Sequence, residues 1–164
     1  MLNCPACNSS ETNERIFLYN DKSRVLQQCI NCGHAFDKEY RNSNQGYASG
    51  EYGLKDGKIP NFDRDLKLAR TFITSHILKP GDSVLDCGAG WGGLPLRISQ
   101  ISQEYSLGIK VNCFEPVAHL ANSIADRDST IKIYSDMNHC EKNDFVIAKE
   151  VIEHTNDPKA FLEQ

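Results

Sequence analysis

Two closely spaced cysteine pairs stand near the start of the chain, Cys4-Pro-Ala-Cys7 and Cys29-Ile-Asn-Cys32-Gly33, with 21 residues between them. Each pair suits a tight turn whose backbone amides support two converging thiolates. Four thiolates complete a closed tetrahedral Zn²⁺ site that leaves no position open for chemistry. Gly33 fits the second turn because glycine tolerates positive φ. A redox dithiol and plain buried cysteines are the competing readings. The doubled spacing favours structural zinc on Cys4, Cys7, Cys29 and Cys32, with His34 a bystander.

A run of glycines carries a second chemistry: Asp86-Cys-Gly88-Ala89-Gly90-Trp-Gly92-Gly93. Glycines between a strand and a helix let the backbone approach a ligand with no Cβ in the way. Glu115-Pro116 and Asp136 follow further along, each after an apolar run. An acid at the end of the second strand can accept hydrogen bonds from both ribose hydroxyls. Together these residues suit an adenosine-containing cofactor. The frame Asp86-x-Gly88-x-Gly90-x-Gly92 departs from the GxGxxG dinucleotide fingerprint, which places a nicotinamide dehydrogenase lower. The plainer alternative makes Asp86 a turn cap and leaves Glu115 and Asp136 as solvated strand ends. Trp91 either covers the cofactor or packs locally.

A third group is Glu150-Val-Ile-Glu153-His154. One turn can bring these two carboxylates and the imidazole together. His154 can then serve as general base on a substrate hydroxyl, with Glu150 beside it, since its ordinary pKa lies near neutrality. Alternatively Glu150, Glu153 and His154 hold a divalent ion that orients the hydroxyl. The bland reading is that they shape a pocket floor.

Elements must position these groups. Arg15–Tyr19 and Arg24–Gln28 read as two short strands around Asn20-Asp21-Lys22-Ser23, so the cysteine pairs flank a hairpin. Metal ligation would supply much of the folding energy of so small a module. Residues 41 to 60 contain four glycines and read as a connecting loop. Tyr40, Tyr47 and Tyr52 either anchor that loop or shape a substrate entrance. Phe62, Leu66, Ala69, Ile73 and Ile77 form one stripe of a helix capped by Asn61 and stopped by Lys79-Pro80-Gly81-Asp82. Strands are expected at Ser83–Cys87, Lys110–Phe114, Ile131–Ser135 and Phe145–Ala148. Helices are expected at Leu94–Ser102, with Pro95 in the first turn, and at Val117–Arg127. This alternation implies a parallel sheet, with ligands outside the strand C-termini. Cys87 and Cys113 inside apolar strands read as small core residues.

The chain of 164 residues carries 18 Lys+Arg against 22 Asp+Glu, a formal charge of −4. That length allows one full domain, or a small module plus part of a larger one. With 40% hydrophobic and 24% charged residues, the composition is that of a globular protein. No apolar run approaches the roughly 18 residues of a membrane span, and MLNCPACNSS has no secretory signal. Seven cysteines, an odd number, point to a reduced, cytoplasmic protein. Mild acidity and mixed charges disfavour nucleic acid as a partner.

The string VLDCGAGWGG, followed by FEP, YSD and EVIEHTNDPKAFL, resembles the class I S-adenosylmethionine-dependent methyltransferases. With the cysteine pairs in front it is similar to bacterial methyltransferases that carry an N-terminal zinc ribbon and serve sugar or surface-polysaccharide pathways. The resemblance covers nearly all of the chain. It implies an α/β fold, a Rossmann-like parallel sheet preceded by a Cys4 zinc ribbon. The expected organisation is zinc ribbon 1–40, connecting loop 41–61 and S-adenosylmethionine-binding domain 62–164. It further implies that Asp86, Gly88, Ala89 and Gly90 surround the methionine part of the cofactor, that Glu115 holds the ribose, and that Asp136 and the Met137 backbone border the adenine. The ExxEH spacing is similar to small-RNA 3′-end 2′-O-methyltransferases, where it holds a metal with a later histidine, and to ubiquinone-biosynthesis O-methyltransferases.

Such a core has seven strands, and only four are visible here. The expectation is therefore a fragment whose fourth strand is covered by a missing C-terminal segment or a partner. The expected acceptor is a small or medium polar molecule, a sugar or nucleotide-sugar, with the ribbon and the tyrosine loop enclosing the pocket. A metal-dependent RNA 2′-O-methyltransferase and a non-catalytic ribbon/Rossmann scaffold are the alternatives.

Overall fold

A computed structural model describes residues 3–19, 22–36, 61–155 and 158–163. Tyr40, Tyr47, Tyr52 and Asp157 lie outside the described residues. The chain divides into two compact units: Met1–Ser43 together with Ile152–Gln164, and Asn44–Val151.

In the first unit β1 (Thr12–Tyr19) and β2 (Lys22–Cys29) form an antiparallel hairpin in continuous register, from Thr12 opposite Cys29 to Tyr19 opposite Lys22. Both strands run further than the apolar residues alone predict, because backbone pairing continues up to Cys29. β3 (Ala35–Phe36) adds to β2 through Gln27 opposite Phe36. Little of this sheet is held by apolar burial: Ile16 and Leu18 are 71% and 81% exposed. The buried side chain of Gln27 instead accepts from the Thr12 hydroxyl and donates to Glu14. Short helical segments at Ile152–His154 and α4 (Pro158–Leu162) belong to the same unit.

The second unit is a four-stranded parallel sheet ordered β6-β5-β4-β7, with β4 (Ser83–Cys87), β5 (Lys110–Phe114), β6 (Lys132–Tyr134) and β7 (Phe145–Ile147). This is the expected α/β Rossmann-like architecture. The chain builds outward from β4 to β5 to β6 and then returns to the other side of β4, so the strand order reverses between β4 and β7. Crevices at the C-terminal ends of strands beside such a reversal are where open parallel sheets take ligands.

The helices are α1 (Asp63–Thr74), α2 (Gly93–Glu104) and α3 (Ala118–Arg127). Ala69, Val84, Leu94, Ile98, Cys113 and Ile124 meet in one buried cluster. Each large aliphatic side chain buried there contributes about 1.5–3 kcal/mol relative to exposure. At the start of α1, Asn61 Oδ1 accepts the Asp63 N–H at 2.9 Å. The helix ends a turn earlier than its stripe predicts. His76 takes φ +55°, and the N–H groups of Ile77 and Leu78 both fold back onto the Phe72 carbonyl. Ile77 is thereby 44% exposed and Leu78 takes the buried place. Pro95 is the third residue of α2, where a missing N–H costs no intrahelical bond.

Candidate functional site

The sulfur atoms of Cys4, Cys7, Cys29 and Cys32 lie within 4.8 Å of one another. Cys7 and Cys29 are 3.5 Å apart at sulfur, and Cys4 and Cys32 are 3.6 Å apart. Zn–S bonds of about 2.3 Å in a tetrahedron require sulfur separations of roughly 3.8 Å, so the four thiols fit zinc. Two turns produce this closeness. One is closed by the Asn8 N–H on the Cys4 carbonyl, the other by the Gly33 N–H on the Cys29 carbonyl, with Gly33 at φ +76°. The His34 ring stacks on Phe36.

Thiols packed so closely do not ionise together in the absence of a cation. The Cys32 N–H helps bring Cys29 down to about 7. Cys32 goes up to about 12: the His34 N–H favours its thiolate, but neighbouring Cys7 and burial outweigh that. A divalent ion would favour the thiolate at all four positions.

At the C-terminal edge of the parallel sheet, the turn after β4 is folded against the end of β5. The Gly88 and Ala89 N–H groups reach the Phe114 carbonyl, and the Gly90 N–H donates to Glu115 Oε2 at 2.7 Å. Glu115 Oε1 accepts from the Val117 N–H at 2.9 Å. Gly88, Gly90 and Gly92 all take positive φ. Two reasons for glycine separate here. A Cβ on Gly92 would meet Ile124 Cγ1 at 2.6 Å, and one on Gly93 would meet Asp65 Oδ2 at 2.1 Å, so those two make room for the protein's own packing. A Cβ on Gly88 would likewise meet Val151 at 2.7 Å. Gly90 is the glycine engaged by the acid.

Glu115 is 4% exposed, and burial pushes its carboxyl upward against the favourable Val117 and Gly90 N–H groups. Asp86, at the end of β4, is 6% exposed and pushed up to about 7 by loss of solvation; Lys149 opposes this, while Asp65 and Glu115 add to it. Asp136 is exposed and caps the short turn Met137–His139, accepting from the Asn138 N–H and side-chain amide. That N–H holds its carboxyl below the usual range. Met137 is half-buried beside Cys140.

Asp86, the glycine turn and Glu115 are thus brought together, whereas Asp136 and Met137 follow β6 one strand further out. Around them stand residues that sequence reasoning did not single out. His119 acts electrostatically on Glu115, and its ring meets Trp91 edge-on at 5.9 Å. Asp65, in the first turn of α1, is nearly buried and paired with Lys149 Nζ. Nothing in local sequence signals that pair, because its members are 84 positions apart.

Glu150 and His154 do not share one helical turn. Glu150 is exposed at φ +54°, before the short Ile152–His154 segment, and the division between the two units falls after Val151. A left-handed backbone at a non-glycine residue breaks the helical continuity that the ExxEH spacing suggests.

No family model matches this sequence, and no curated protein does. Among solved structures, the chain is similar to the plantazolicin methyltransferase BpumL in complex with a pentazolic desmethylPZN analog and SAH: 16% identity, 75% of this chain, 48% of that one, TM-score 0.49. It is also similar to coclaurine N-methyltransferase bound to N-methylheliamine and SAH: 19% identity, 60% of this chain, 32% of that one, TM-score 0.41. A further similar structure is YjhP from E. coli: 16% identity, 54% of this chain, 34% of that one, TM-score 0.36. The chain spans about a third to a half of the length of these structures.

Proposed function

We propose that this chain binds S-adenosylmethionine and forms the cofactor-holding part of a methyltransferase for a small or medium polar acceptor, a sugar or nucleotide-sugar. The observation that carries this is the Gly90–Glu115 contact: a glycine turn after the first strand of a parallel sheet, tied to an acid at the end of the second. Glu115 uses one lone pair on each oxygen for Gly90 and Val117 and keeps acceptor capacity for two ribose hydroxyls. Asp86 supplies a buried acceptor beside the same turn, and the Met137 segment after β6 offers a border for a base.

When bound, S-adenosylmethionine supplies an activated sulfonium methyl. The chain's contribution is then to hold the group, align it with an acceptor and exclude water. His154 is the proposed base, with Glu150 as its neighbour in sequence. The Cys4–Cys32 cluster is the proposed structural Zn²⁺ site.

Calorimetry with S-adenosylmethionine and its demethylated product tests the cofactor. The expected result is saturable binding of both by the wild type, abolished in Gly90→Arg and weakened at least tenfold in Glu115→Ala. Absence of heat with either ligand would leave the non-catalytic scaffold.

A further inference from the structure

Beside the reversal of strand order lies a buried carboxyl that makes no hydrogen bond among the described residues. Asp86, 6% exposed, sits at the C-terminal end of β4, between the ends of β5 and β7. Asp86 lies opposite Cys113 of β5 and Ile147 of β7, two residues before Glu115 and Lys149 respectively. The charges that act on it are those of Lys149 after β7, Asp65 on α1 and Glu115 after β5. The two neighbouring acids are committed elsewhere. Glu115 is bound by the Gly90 and Val117 N–H groups. Asp65 holds Lys149 Nζ through Oδ1, while its Oδ2 lies against Gly93 so closely that a Cβ there would stand 2.1 Å away.

A buried carboxyl without a donor is costly, and a second and third carboxylate nearby drive a proton onto it. Lys149 is the cation of this group. Its pairing with Asp65 both fixes the ammonium at the end of β7 and offsets the Asp65 charge that would otherwise act on Asp86. The lone pairs of Asp86 remain for donors that a ligand brings. Three acids beside one lysine at this sheet edge favour a positively charged group.

Resting on the cofactor assignment above, we propose that Lys149, anchored by Asp65, is a positioning residue that favours the carboxylate form of Asp86, so that it can accept hydrogen bonds from a cationic group of the bound ligand. Replacing Lys149 by a neutral side chain leaves Asp65 and Glu115 unopposed. Asp86 then takes up its proton at a higher pH and becomes a donor facing a donor.

Carboxyl ¹³C titration of the ligand-free chain reads Asp86 directly, without any cofactor. Lys149→Met should raise the Asp86 midpoint by about one pH unit, and Lys149→Arg should leave it near the wild-type position. Asp65→Asn is nearly isosteric and leaves a lysine whose side chain is 41% exposed; it should lower the midpoint, and it serves if Lys149→Met does not fold. In a second measurement, S-adenosylmethionine binding is followed through Trp91, the one tryptophan of the chain. Affinity should rise with pH across neutrality, shift upward by the same interval in Lys149→Met, and lose this step in Asp86→Asn. An Asp86 midpoint unmoved in both Lys149→Met and Asp65→Asn overturns the positioning role, whether or not the cofactor binds. A carboxyl shift accompanied by no binding at any pH in the wild type overturns the cofactor assignment instead and upholds the Lys149–Asp86 coupling.

Discussion

Asp86 links the chemistry of the site to the stability of the fold. Its carboxyl stands near 3.8 in an unfolded chain and near 7 in the folded one, because burial strips its water. The folded state therefore binds the proton more tightly between those values. Sign follows directly: the Asp86 contribution to stability is fully present below about pH 4, falls as pH rises towards 7 and is level above. At about 1.4 kcal/mol per unit, the loss is roughly 4 kcal/mol as an upper bound. Urea unfolding midpoints between pH 4.5 and 7.5 should decline in the wild type and flatten in Asp86→Asn; equal slopes would place the linkage on another group. His154 offers a separate measurement. If it is the base of the proposed reaction, His154→Ala should reduce methyl transfer by roughly 10²- to 10⁴-fold with cofactor affinity nearly unchanged. Unchanged turnover removes it from catalysis, and activity restored by Mg²⁺ after chelation would point to a metal on Glu150, Glu153 and His154 instead.

Among the elements, the turn between β4 and α2 is the one where each glycine has its own reason. The spacing Gly88-x-Gly90-x-Gly92-Gly93 reads as one ligand loop. In the structure the last two glycines open space for Ile124 from α3 and for Asp65 and Phe62 at the start of α1. Phe62 lies in turn under the Arg127 guanidinium, which donates to the Trp91 carbonyl. α1 is thus packed onto the turn that α2 begins from. Gly93→Ala tests this packing. Alanine is the better helix former, yet its Cβ would stand 2.1 Å from Asp65 Oδ2 and 2.5 Å from Phe62 Cδ1. Asp65 is held by Lys149 and cannot simply swing away. The expected result is destabilisation by about 1–3 kcal/mol, read as a lowered melting temperature. A stability equal to or above wild type would show that α1 yields at no cost.

At the scale of the whole molecule, two units hold themselves together by different means. The sheet unit has a continuous aliphatic core, whereas the hairpin unit leaves Ile16, Leu18 and Val25 exposed and gathers four thiols instead. Elemental analysis should find about one zinc per chain. Cys29→Ser should melt the hairpin unit and leave the parallel sheet largely folded, as judged by amide exchange. Metal-free chain with an intact hairpin would refute the zinc assignment. No helix among the described residues is long and apolar enough to cross a membrane. Local patterns determined a good part of this molecule by themselves. Paired CxxC spacing, two-residue and 3.6-residue periodicities and glycine placement are written in neighbouring residues, so the cysteine cluster, the hairpin, the four parallel strands and the Asp86–Gly90–Glu115 grouping are legible from them. Tertiary structure alone decided what depends on distance along the chain. It ended α1 at Thr74, because a left-handed His76 and burial of Leu78 outweigh one more turn of the stripe. It set Gly92 and Gly93 against the protein's own side chains, since only packing brings α1 and α3 to that turn. It gave Glu150 itself a left-handed backbone ahead of the short Ile152–His154 segment, which spacing does not register. It also joined Asp65 to Lys149, because a buried charge needs a counter-charge from whichever element the fold brings beside it.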